Sequence, residues 1–424
     1  MLDSLLFKKN RKKLVNKLTR GAICVFESND QMPTNADGLM PFRQNNDLFY
    51  LTGIDQEDTS LVIFPETKNQ EYKEVLFIKK TNDTIRVWEG HKLTKEEAQK
   101  KSGIKMVLWN DEFISVLEKL IPESNSVYLS SNEHPRANII VETKNARLSV
   151  KLKSLFPNKD FKKSAPIMHY IRSVKETEEI KAIQQACDIT RAGFNRILKF
   201  IKPGIFEYNI EAELIHEFIN QNSKGFAYEP IIASGKNACI LHYTDNNQPL
   251  KNGDVILMDF GAEYNNYASD LTRCVPVNGK FTTRQKNVYN AVLRVMRAAK
   301  KMLQPGTFLN NYEKNVGELM EKELVDLKLI STQDIKKQGA NPAYKKYFMH
   351  GTSHHLGLDV HDVSDSKKPL SEGMVLTCEP GIYIPEENLG IRLENDILVS
   401  KSEAIDLMGD ILIEPEEIES ALNN

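Results

Sequence analysis

The feature that most constrains the fold of this chain is an order of elements that occurs twice in its C-terminal part. A helical pattern ends at Pro203-Gly204, and a second helical pattern and a pair of strand-like runs follow it. The same order returns about 100 residues later, where Gln304-Pro-Gly-Thr-Phe-Leu-Asn-Asn resembles Lys202-Pro-Gly-Ile-Phe-Glu-Tyr-Asn. A duplicated α/β unit explains the matching order better than chance local similarity does.

Each half of this repeat predicts two helices followed by a β-hairpin. A capping-box pattern from Ser173 to Glu176 marks the start of the first helix, and apolar residues then recur at helical spacing. The predicted helices run from this capping box to residue 201 and over residues 209–222, 284–303 and 312–327. The predicted strands are residues 255–263, 267–277, 374–379 and 391–399.

Earlier in the chain, short strand-like runs alternate with helical ones, which predicts an α/β domain. The predicted strands are residues 22–26, 48–51, 60–64 and 75–78, with helical patterns at 95–101 and 112–120. An amphipathic first helix is expected to turn Leu5, Leu6, Val15 and Leu18 inward. The polar and basic stretch 158–173 is predicted to be a linker. We therefore expect an N-terminal domain at residues 1–170 and a second domain at residues 171–424.

Charge and composition exclude several classes of protein. The chain has 56 Lys and Arg against 58 Asp and Glu, a formal net charge of −2, so nothing favours a nucleic-acid partner. No run reaches the ~18–20 apolar residues of a membrane helix. The five cysteines are scattered and form no CxxC pair, which favours a reducing compartment. We expect a cytoplasmic protein; the alternative is that the basic N-terminus is a transit peptide.

The first hairpin carries two carboxylates on one face. Asn265-Asn266 suits the positive φ angles of a tight turn. Pairing about this turn sets Asp259 opposite Thr272, so that Asp270 lies diagonally next to Asp259. Two buried carboxylates at this spacing repel each other and need a shared proton or a cation. An exposed hairpin face that bears acids by chance is the alternative.

The second hairpin repeats the arrangement. A connection centred between Glu386 and Glu387 places Glu379 directly opposite Glu394 on one face of the hairpin. Each half of the repeat therefore contributes one carboxylate pair from equivalent strands. If a pseudo-two-fold axis relates the halves, the four carboxylates converge on one point.

Between the two pairs lies a cluster of histidines, since His350, His354, His355 and His361 fall within twelve residues. Four carboxylates and one imidazole suit two divalent cations about 3.5–4 Å apart, such as manganese, cobalt, iron or zinc. The absence of cysteine ligands argues against a structural zinc site. The sequence therefore indicates a metal centre built from both hairpins and this segment.

These motifs resemble those of the metallopeptidases with the pita-bread fold, and most closely those of the aminopeptidase P family. The residues that match the family's metal ligands are, in order, Asp259, Asp270, His354, Glu379 and Glu394. The matching segments include Cys239-Ile-Leu-His242, His350-Gly-Thr-Ser-His354, Gly357-Leu-Asp-Val-His361, Glu379-Pro-Gly-Ile-Tyr383 and Gly390-Ile-Arg392-Leu-Glu394. Pro41-Phe-Arg-Gln-Asn-Asn-Asp-Leu-Phe-Tyr-Leu-Thr-Gly53 resembles a motif of the family's N-terminal domain. The resemblance implies an α/β (α+β) architecture, with a creatinase/prolidase-type N-terminal domain before a pita-bread catalytic domain.

The resemblance also implies how the ligands divide between two metal ions. Asp270 and Glu394 would bridge the ions, Asp259 would complete one, and His354 and Glu379 would complete the other. Glu379 would also handle the proton of a hydroxide that bridges the metals and attacks the peptide carbonyl.

Residues around the metals receive roles from the same resemblance. His242 and His361 match catalytic positions that hold the substrate and stabilise the tetrahedral intermediate. The positions that support a proline pocket are matched by His350, Tyr383, Arg392 and Arg172.

The activity that the resemblance implies is hydrolysis of the bond between any N-terminal residue and a following proline. Manganese is the first expectation for the two metal ions, with cobalt, zinc or iron as alternatives. The partners would be peptides with proline in second place, and the chain would form a dimer or tetramer with itself. The alternatives are a prolidase, which accepts only dipeptides, a methionine aminopeptidase, and a pita-bread protein that only binds partners.

Overall fold

The structure is a computed structural model that describes residues 2–131, 133–134, 136–339 and 341–423. The chain divides into two compact units, Met1–Arg172 and Ser173–Asn424. Within the described ranges, no helix combines the length and the apolar character that a membrane crossing requires.

The N-terminal unit is built on one mixed sheet of six strands. The strands are β1 (Ala22–Glu27), β2 (Ser60–Ile63), β3 (Glu74–Ile78), β4 (Met106–Trp109), β5 (Ser126–Leu129) and β6 (Asp160–Lys163). The helices are α1 (Ser4–Val15), α2 (Asn46–Thr52), α3 (Asp83–Glu89), α4 (Lys95–Ser102), α5 (Phe113–Leu120), α6 (Lys144–Leu155) and α7 (Ala165–Ser173). The strand order is β4-β3-β2-β1-β5-β6, with β2 antiparallel to β1 and β3 and the other pairs parallel. Apolar side chains of the inner strands, α5 and α6 form one buried cluster.

One predicted strand of this unit is wrong, because residues 48–51 lie in helix α2. The Asn45 side chain caps this helix by accepting hydrogen bonds from the N–H groups of Asp47 and Leu48 at 3.1 and 3.2 Å. Gly53 ends the helix in the left-handed conformation, with φ +69°. A short apolar run is compatible with a strand or a helix, and these two end signals favour the helix.

The predicted linker at residues 158–173 is also wrong, since this stretch forms β6 and α7. β6 extends the sheet by pairing parallel to β5, with Asp160 opposite Ser126. Its charged residues are compatible with a strand because β6 lies at the edge of the sheet, where one side has no neighbouring strand.

The expected first helix is present as α1, but its inward face differs from the prediction. Leu5 is 57% exposed, whereas Leu6 is buried and Val15 and Leu18 are partly buried. The face also buries the charged side chain of Arg11, which donates to the carbonyl of Leu51 at 2.8 Å. Hydrogen bonds of this kind offset the desolvation of a buried polar group.

The C-terminal unit contains the duplicated elements. The helices are α8 (Thr177–Leu198), α9 (Glu207–Asn220), α10 (Thr283–Met302), α11 (Leu309–Asp326), α12 (Thr332–Lys337) and α13 (Pro415–Asn423). The strands are β7 (Ile231–Ser234), β8 (Val255–Phe260), β9 (Glu263–Tyr264), β10 (Tyr267–Ala268), β11 (Leu271–Pro276), β12 (Val375–Cys378), β13 (Gly381–Ile384), β14 (Leu389–Arg392), β15 (Asn395–Leu398) and β16 (Ile405–Asp406). The strands form sheets β11-β8-β7 and β12-β15-β16 and ribbons β9-β10 and β13-β14. Each half thus has two helices, α8 with α9 or α10 with α11, followed by a hairpin.

The first of these helices begins later than the predicted capping box. Ser173 is the last residue of α7, so it does not cap α8. The box lies three residues further on, where the backbone N–H of Glu176 donates to the Glu179 carboxylate at 2.9 Å. The helix ends at Leu198, before the predicted limit at Ile201.

The first hairpin has the predicted register. Asn265 and Asn266 have φ angles of 51° and 67°, which are the positive values that a tight turn requires. Asp259 pairs directly with Thr272 between β8 and β11. The register from which Asp270 was predicted to lie diagonally next to Asp259 is therefore correct.

The second hairpin also has the predicted register and joins the first. Cys378 pairs with Asn395 in one ladder and Gly381 pairs with Arg392 in the next, so Glu379 stands opposite Glu394 between them. The backbone N–H of Glu394 donates to the Thr272 carbonyl at 3.1 Å. This bridge between the two halves brings the hairpin carboxylates to one place.

Candidate metal centre

The tightest cluster at this junction contains Asp270, His354 and Glu394. Each offers one ligand atom, and these atoms lie within 4.8 Å of one another. The Nε2 atom of His354 is 3.4 Å from Oδ2 of Asp270 and 3.5 Å from Oε1 of Glu379. Three of the other predicted ligands, Asp270, Glu379 and Glu394, therefore lie around the His354 imidazole.

The fifth predicted ligand, Asp259, joins the cluster through Tyr228. The Tyr228 hydroxyl is 2.6 Å from Oδ1 of Asp259 and 2.5 Å from Oδ1 of Asp270. Arg392 holds the other oxygen of Asp259 with a hydrogen bond of 2.5 Å from its guanidinium to Oδ2. Tyr228 was not identified from the sequence, because no motif surrounds it and only the tertiary fold brings it between the two aspartates.

Thr272 and Arg392 orient the carboxylate of Glu394. The Thr272 hydroxyl donates to Oε2 of Glu394 at 2.6 Å and accepts from Nε of Arg392 at 3.2 Å. Thr272 was not identified as a site residue, although the predicted register placed it opposite Asp259. Its position opposite Asp259 was the feature of the sequence that could have identified it.

Asp396 is the third residue near the cluster that was not identified from the sequence. Its Oδ2 atom accepts the backbone N–H of Asp270 at 3.0 Å, and the side chain is fully buried. Residues two apart on a strand share a face, so the spacing from Glu394 to Asp396 was a usable signal.

Burial and mutual repulsion raise the pKa values of the clustered carboxyl groups. Burial raises the pKa of Asp270 well above its usual range, and the charge of Asp259 raises it further. Burial likewise raises the pKa of Glu394, with the charge of Asp270 as the next cause. Burial raises the pKa of Glu379 to about 7. The cluster thus favours bound protons or a cation over free carboxylates.

The residues fit a divalent metal ion. Oε1 of Glu394 is buried and has no hydrogen-bond partner among the residues that the structure describes. A buried carboxylate oxygen without a partner is costly, and a cation would satisfy it. Carboxylate oxygens and an imidazole nitrogen are ligands that manganese, cobalt, iron and zinc accept.

The metal-free protein is expected to lose stability as the pH rises from about 4.5 to 7. Because the folded pKa of Glu379 is raised to about 7, its proton stabilises the folded state below the unfolded pKa, and this contribution is lost as the pH rises through the folded value. Asp270 and Glu394 act in the same direction. Thermal unfolding of chelator-treated protein should show a melting temperature several degrees lower at pH 8 than at pH 5.

Protein saturated with a divalent metal should show the opposite trend, since metal binding requires deprotonated ligands. The variant Glu379→Gln should have a weaker pH dependence without metal. Equal slopes for the metal-free and metal-loaded protein would contradict the assignment of these carboxyl groups.

His350, Tyr383 and Arg392 form a hydrogen-bonded chain beside the cluster. Arg392 donates to the Tyr383 hydroxyl at 2.9 Å, and this hydroxyl is 2.7 Å from Nε2 of His350. Nδ1 of His350 is 2.7 Å from the Gly351 carbonyl and 3.8 Å from Oε2 of Glu379. Since a carbonyl only accepts, Nδ1 of His350 carries the proton and Nε2 accepts from Tyr383.

The other two predicted histidines lie at different distances from the cluster. The His361 ring is centred 4.1 Å from the ring of His354. His242 is exposed in the loop before β8, outside the tightest cluster. Burial and, to a smaller extent, the charges of Arg392, Lys345 and His242 together lower the pKa of His350 to about 3.

Arg172 is the one predicted site residue in the N-terminal unit. Its guanidinium donates to Oδ1 of Asp47 at 2.8 Å within that unit, and the side chain is buried. Asp47 belongs to the segment that the sequence analysis matched to the family's N-terminal domain. The structure thus connects Arg172 with that segment.

Comparison with known protein families shows the family to which this chain belongs. The model of metallopeptidase family M24 matches residues 181–401, which include all five predicted ligands. The chain belongs to metallopeptidase family M24. The model of the aminopeptidase P N-terminal domain matches residues 7–128. The family implies divalent metal ions and confirms the predicted architecture of an N-terminal α/β domain followed by a pita-bread catalytic domain.

Individual relatives match over the whole chain. The Xaa-Pro aminopeptidase of Escherichia coli is 34% identical over 98% of this chain and 97% of the relative. The structure of Pseudomonas aeruginosa aminopeptidase PepP has a TM-score of 0.91, with 30% identity over 100% of this chain and 98% of that chain. Zinc-substituted Escherichia coli aminopeptidase P in complex with product has a TM-score of 0.88, with 32% identity and the same coverage.

Proposed function

We propose that this M24 metallopeptidase removes the N-terminal residue from peptides whose second residue is proline. The observation that carries the proposal is the convergence of Asp270, His354 and Glu394 within 4.8 Å at the junction of two duplicated hairpins. Relatives with the name Xaa-Pro aminopeptidase match this chain from end to end and support the same activity. A prolidase is not favoured.

The five predicted ligands would hold two divalent metal ions, of which manganese is the first candidate. Such ions supply Lewis acidity, which makes water more acidic and polarises a peptide carbonyl. Tyr228 and Arg392 hold Asp259, and Thr272 holds Glu394, so these ligands have little freedom to reorient. Outer hydrogen bonds of this kind pre-organise the ligands of a metal site.

Glu379 is placed to carry protons during hydrolysis. Its carboxylate lies 3.5 Å from Nε2 of His354 and 3.8 Å from Nδ1 of His350, inside the cluster. Without metal, burial raises its pKa to about 7. A bound cation would favour the carboxylate form, which can accept a proton from water. We assign it the transfer of a proton from the attacking water to the leaving nitrogen of proline.

The histidines would contact the substrate. His361, packed against His354, would donate to the developing oxyanion, and His242 would hold the peptide on the exposed side of the site. His350, Tyr383 and Arg392 would line the proline pocket as one hydrogen-bonded unit. Arg172 keeps its proposed role in substrate binding beside Asp47.

The domain limits, assembly and location are also proposed. Residues 1–170 and 171–424 would form the N-terminal and catalytic domains, and the two family matches lie within these limits. We further propose a cytoplasmic homo-oligomer, either a dimer or a tetramer. Light scattering of the purified chain gives the number of subunits, and cell fractionation gives the location.

Hydrolysis of matched peptides tests the proposed function. With manganese, the protein should release arginine from Arg-Pro-Pro at a rate at least about 100-fold above that for Arg-Ala-Pro, because the pocket selects the second residue. The dipeptide Arg-Pro should be a poorer substrate than the tripeptide. Parallel assays with cobalt, zinc and iron(II) rank the metals.

Two results would contradict the proposal in different ways. Hydrolysis of the dipeptide alone would make the protein a prolidase. Stoichiometric metal binding without hydrolysis of any peptide would favour a protein that only binds partners.

A further inference from the structure

A glutamate on helix α11 holds the segment between two of the site histidines. Both carboxylate oxygens of Glu313 accept the backbone N–H of Thr352, at 2.9 and 3.0 Å. Oε2 of Glu313 also accepts from the Thr352 hydroxyl at 3.1 Å. Thr352 lies between His350 and His354 in the sequence and is fully buried.

The same threonine connects Glu313 to the metal cluster. The Thr352 carbonyl accepts the backbone N–H of Glu379 at 2.8 Å, so Glu313, Thr352 and Glu379 form a continuous chain of hydrogen bonds. Next to Thr352, the hydroxyl of Ser353 donates to that of Tyr312, the neighbour of Glu313 on α11. Two consecutive side chains of this helix therefore hold two consecutive residues of the histidine segment.

The first half of the repeat contains a glutamate at the equivalent place. Glu313 is the eighth residue after Pro305, and Glu211 is the eighth residue after Pro203. Oε2 of Glu211 accepts from the Asn246 side chain at 2.9 Å, in the loop that carries His242. In each half, the second helix thus presents a glutamate to the histidine-bearing loop.

The two halves differ in how many carboxylates of the second helix hold these loops. The loop of His242 is also held by the buried carboxylate of Glu207, which accepts from the Tyr243 hydroxyl at 2.7 Å and the Gln248 N–H at 3.0 Å. The residue equivalent to Glu207 in the second half is Leu309, which offers no acceptor in its side chain. Helix α11 therefore holds the second loop with one carboxylate, that of Glu313, together with the Tyr312 hydroxyl.

We infer that Glu313 is a positioning residue that orients His350, His354 and Glu379 through Thr352. The inference rests on the proposed function, because these three residues are assigned to the metal and substrate there. Loss of the Glu313 charge leaves the buried Thr352 donors without a strong acceptor. The histidine segment would then sample other conformations, and fewer molecules would hold the productive geometry.

The matched variants are Glu313→Gln and Glu318→Gln, which make the same chemical change on the same helix. Glu318 is exposed and makes no contact with the histidine segment that the structure describes. With metal saturating, Glu313→Gln should lower kcat/KM about 10–100-fold, the range typical of partners that orient metal ligands. Glu318→Gln should leave kcat/KM unchanged, and Glu211→Gln should have a smaller effect than Glu313→Gln.

Amide hydrogen exchange provides a readout that does not depend on peptidase activity. In metal-free protein, peptides that cover residues 350–354 should exchange at least about 10-fold faster in Glu313→Gln than in wild type, because Glu313 protects the Thr352 N–H. This result would stand even if wild type hydrolysed no Xaa-Pro peptide, so failure of the proposed function is distinguishable from failure of this inference.

Two outcomes would overturn the inference. The first is unchanged exchange at residues 350–354 in Glu313→Gln. The second is a lower melting temperature with wild-type kcat and KM in the folded, metal-loaded variant, which would show a structural role only. If Glu313→Gln does not fold, Thr352→Val removes the hydroxyl bond to Glu313 and keeps the N–H bonds. Wild-type kcat/KM in that variant would also overturn the inference.

Discussion

The variant Glu394→Gln is expected to lose hydrolysis and tight metal binding together. Glutamine keeps the shape of the side chain and can still accept from the Thr272 hydroxyl, but it removes the charge from the carboxylate whose Oε1 atom has no hydrogen-bond partner in the described structure. The loss in kcat/KM should exceed the 10–100-fold range of outer-shell changes, because a ligand itself is replaced. Titration calorimetry with manganese and Arg-Pro-Pro hydrolysis measure the two effects.

Without metal, the variant Glu394→Gln is expected to be more stable than wild type. Burial and the charge of Asp270 raise the pKa of Glu394 because its charge is unfavourable there. Removing that charge should therefore raise the melting temperature of chelator-treated protein at pH 8 above that of wild type. The exposed control Glu372→Gln should change neither property. If Glu394→Gln bound manganese with wild-type affinity, the metal centre would have to lie elsewhere in the protein.

The variant Lys175→Met is expected to destabilise the C-terminal unit by about 3–5 kcal/mol, the usual cost of breaking a buried ion pair by removing one partner. Nζ of Lys175 is 3.1 Å from Oδ2 of Asp362, and the two side chains are only 1% and 2% exposed. Gly357 packs against this pair, since a Cβ atom there would lie 2.2 Å from Oδ2 of Asp362. Urea unfolding of the full chain without metal measures the change.

Two further variants define what the ion pair contributes. Lys286→Met breaks the more exposed pairs of Lys286 with Glu416 and Glu419 and should cost less than about 1 kcal/mol. The double variant Lys175→Met with Asp362→Leu should recover much of the stability that the single change loses, because no uncompensated charge remains buried. Equal costs for Lys175→Met and Lys286→Met would contradict the burial of the Lys175 pair.

Local rules were sufficient to predict the two hairpins. The Asn265-Asn266 turn and the alternation of side chains on a strand set Asp259 opposite Thr272, and the structure confirms that register. The same reasoning placed Glu379 opposite Glu394, which the pairing on both sides of them supports. Register is predictable from sequence because a slip of one residue moves every side chain to the other face.

Predictions failed where the local sequence was compatible with more than one structure. Residues 48–51 are apolar enough for a strand or a helix, and the cap at Asn45 and the stop at Gly53 outweigh the apolar and aromatic pattern. Residues 160–163 are too polar for an inner strand, and only their place at the sheet edge makes a strand possible. Neither outcome follows from composition alone.

The sequence by itself determined the duplicated order of elements, the carboxylate pairs and the histidine segment, because turn signals and strand alternation act over a few residues. Only the tertiary structure brought the pairs together, through the bridge from Glu394 to Thr272. It alone placed Tyr228 between two aspartates and Glu313 against Thr352. These contacts join residues from different elements, and which elements meet depends on how the apolar faces of both halves pack.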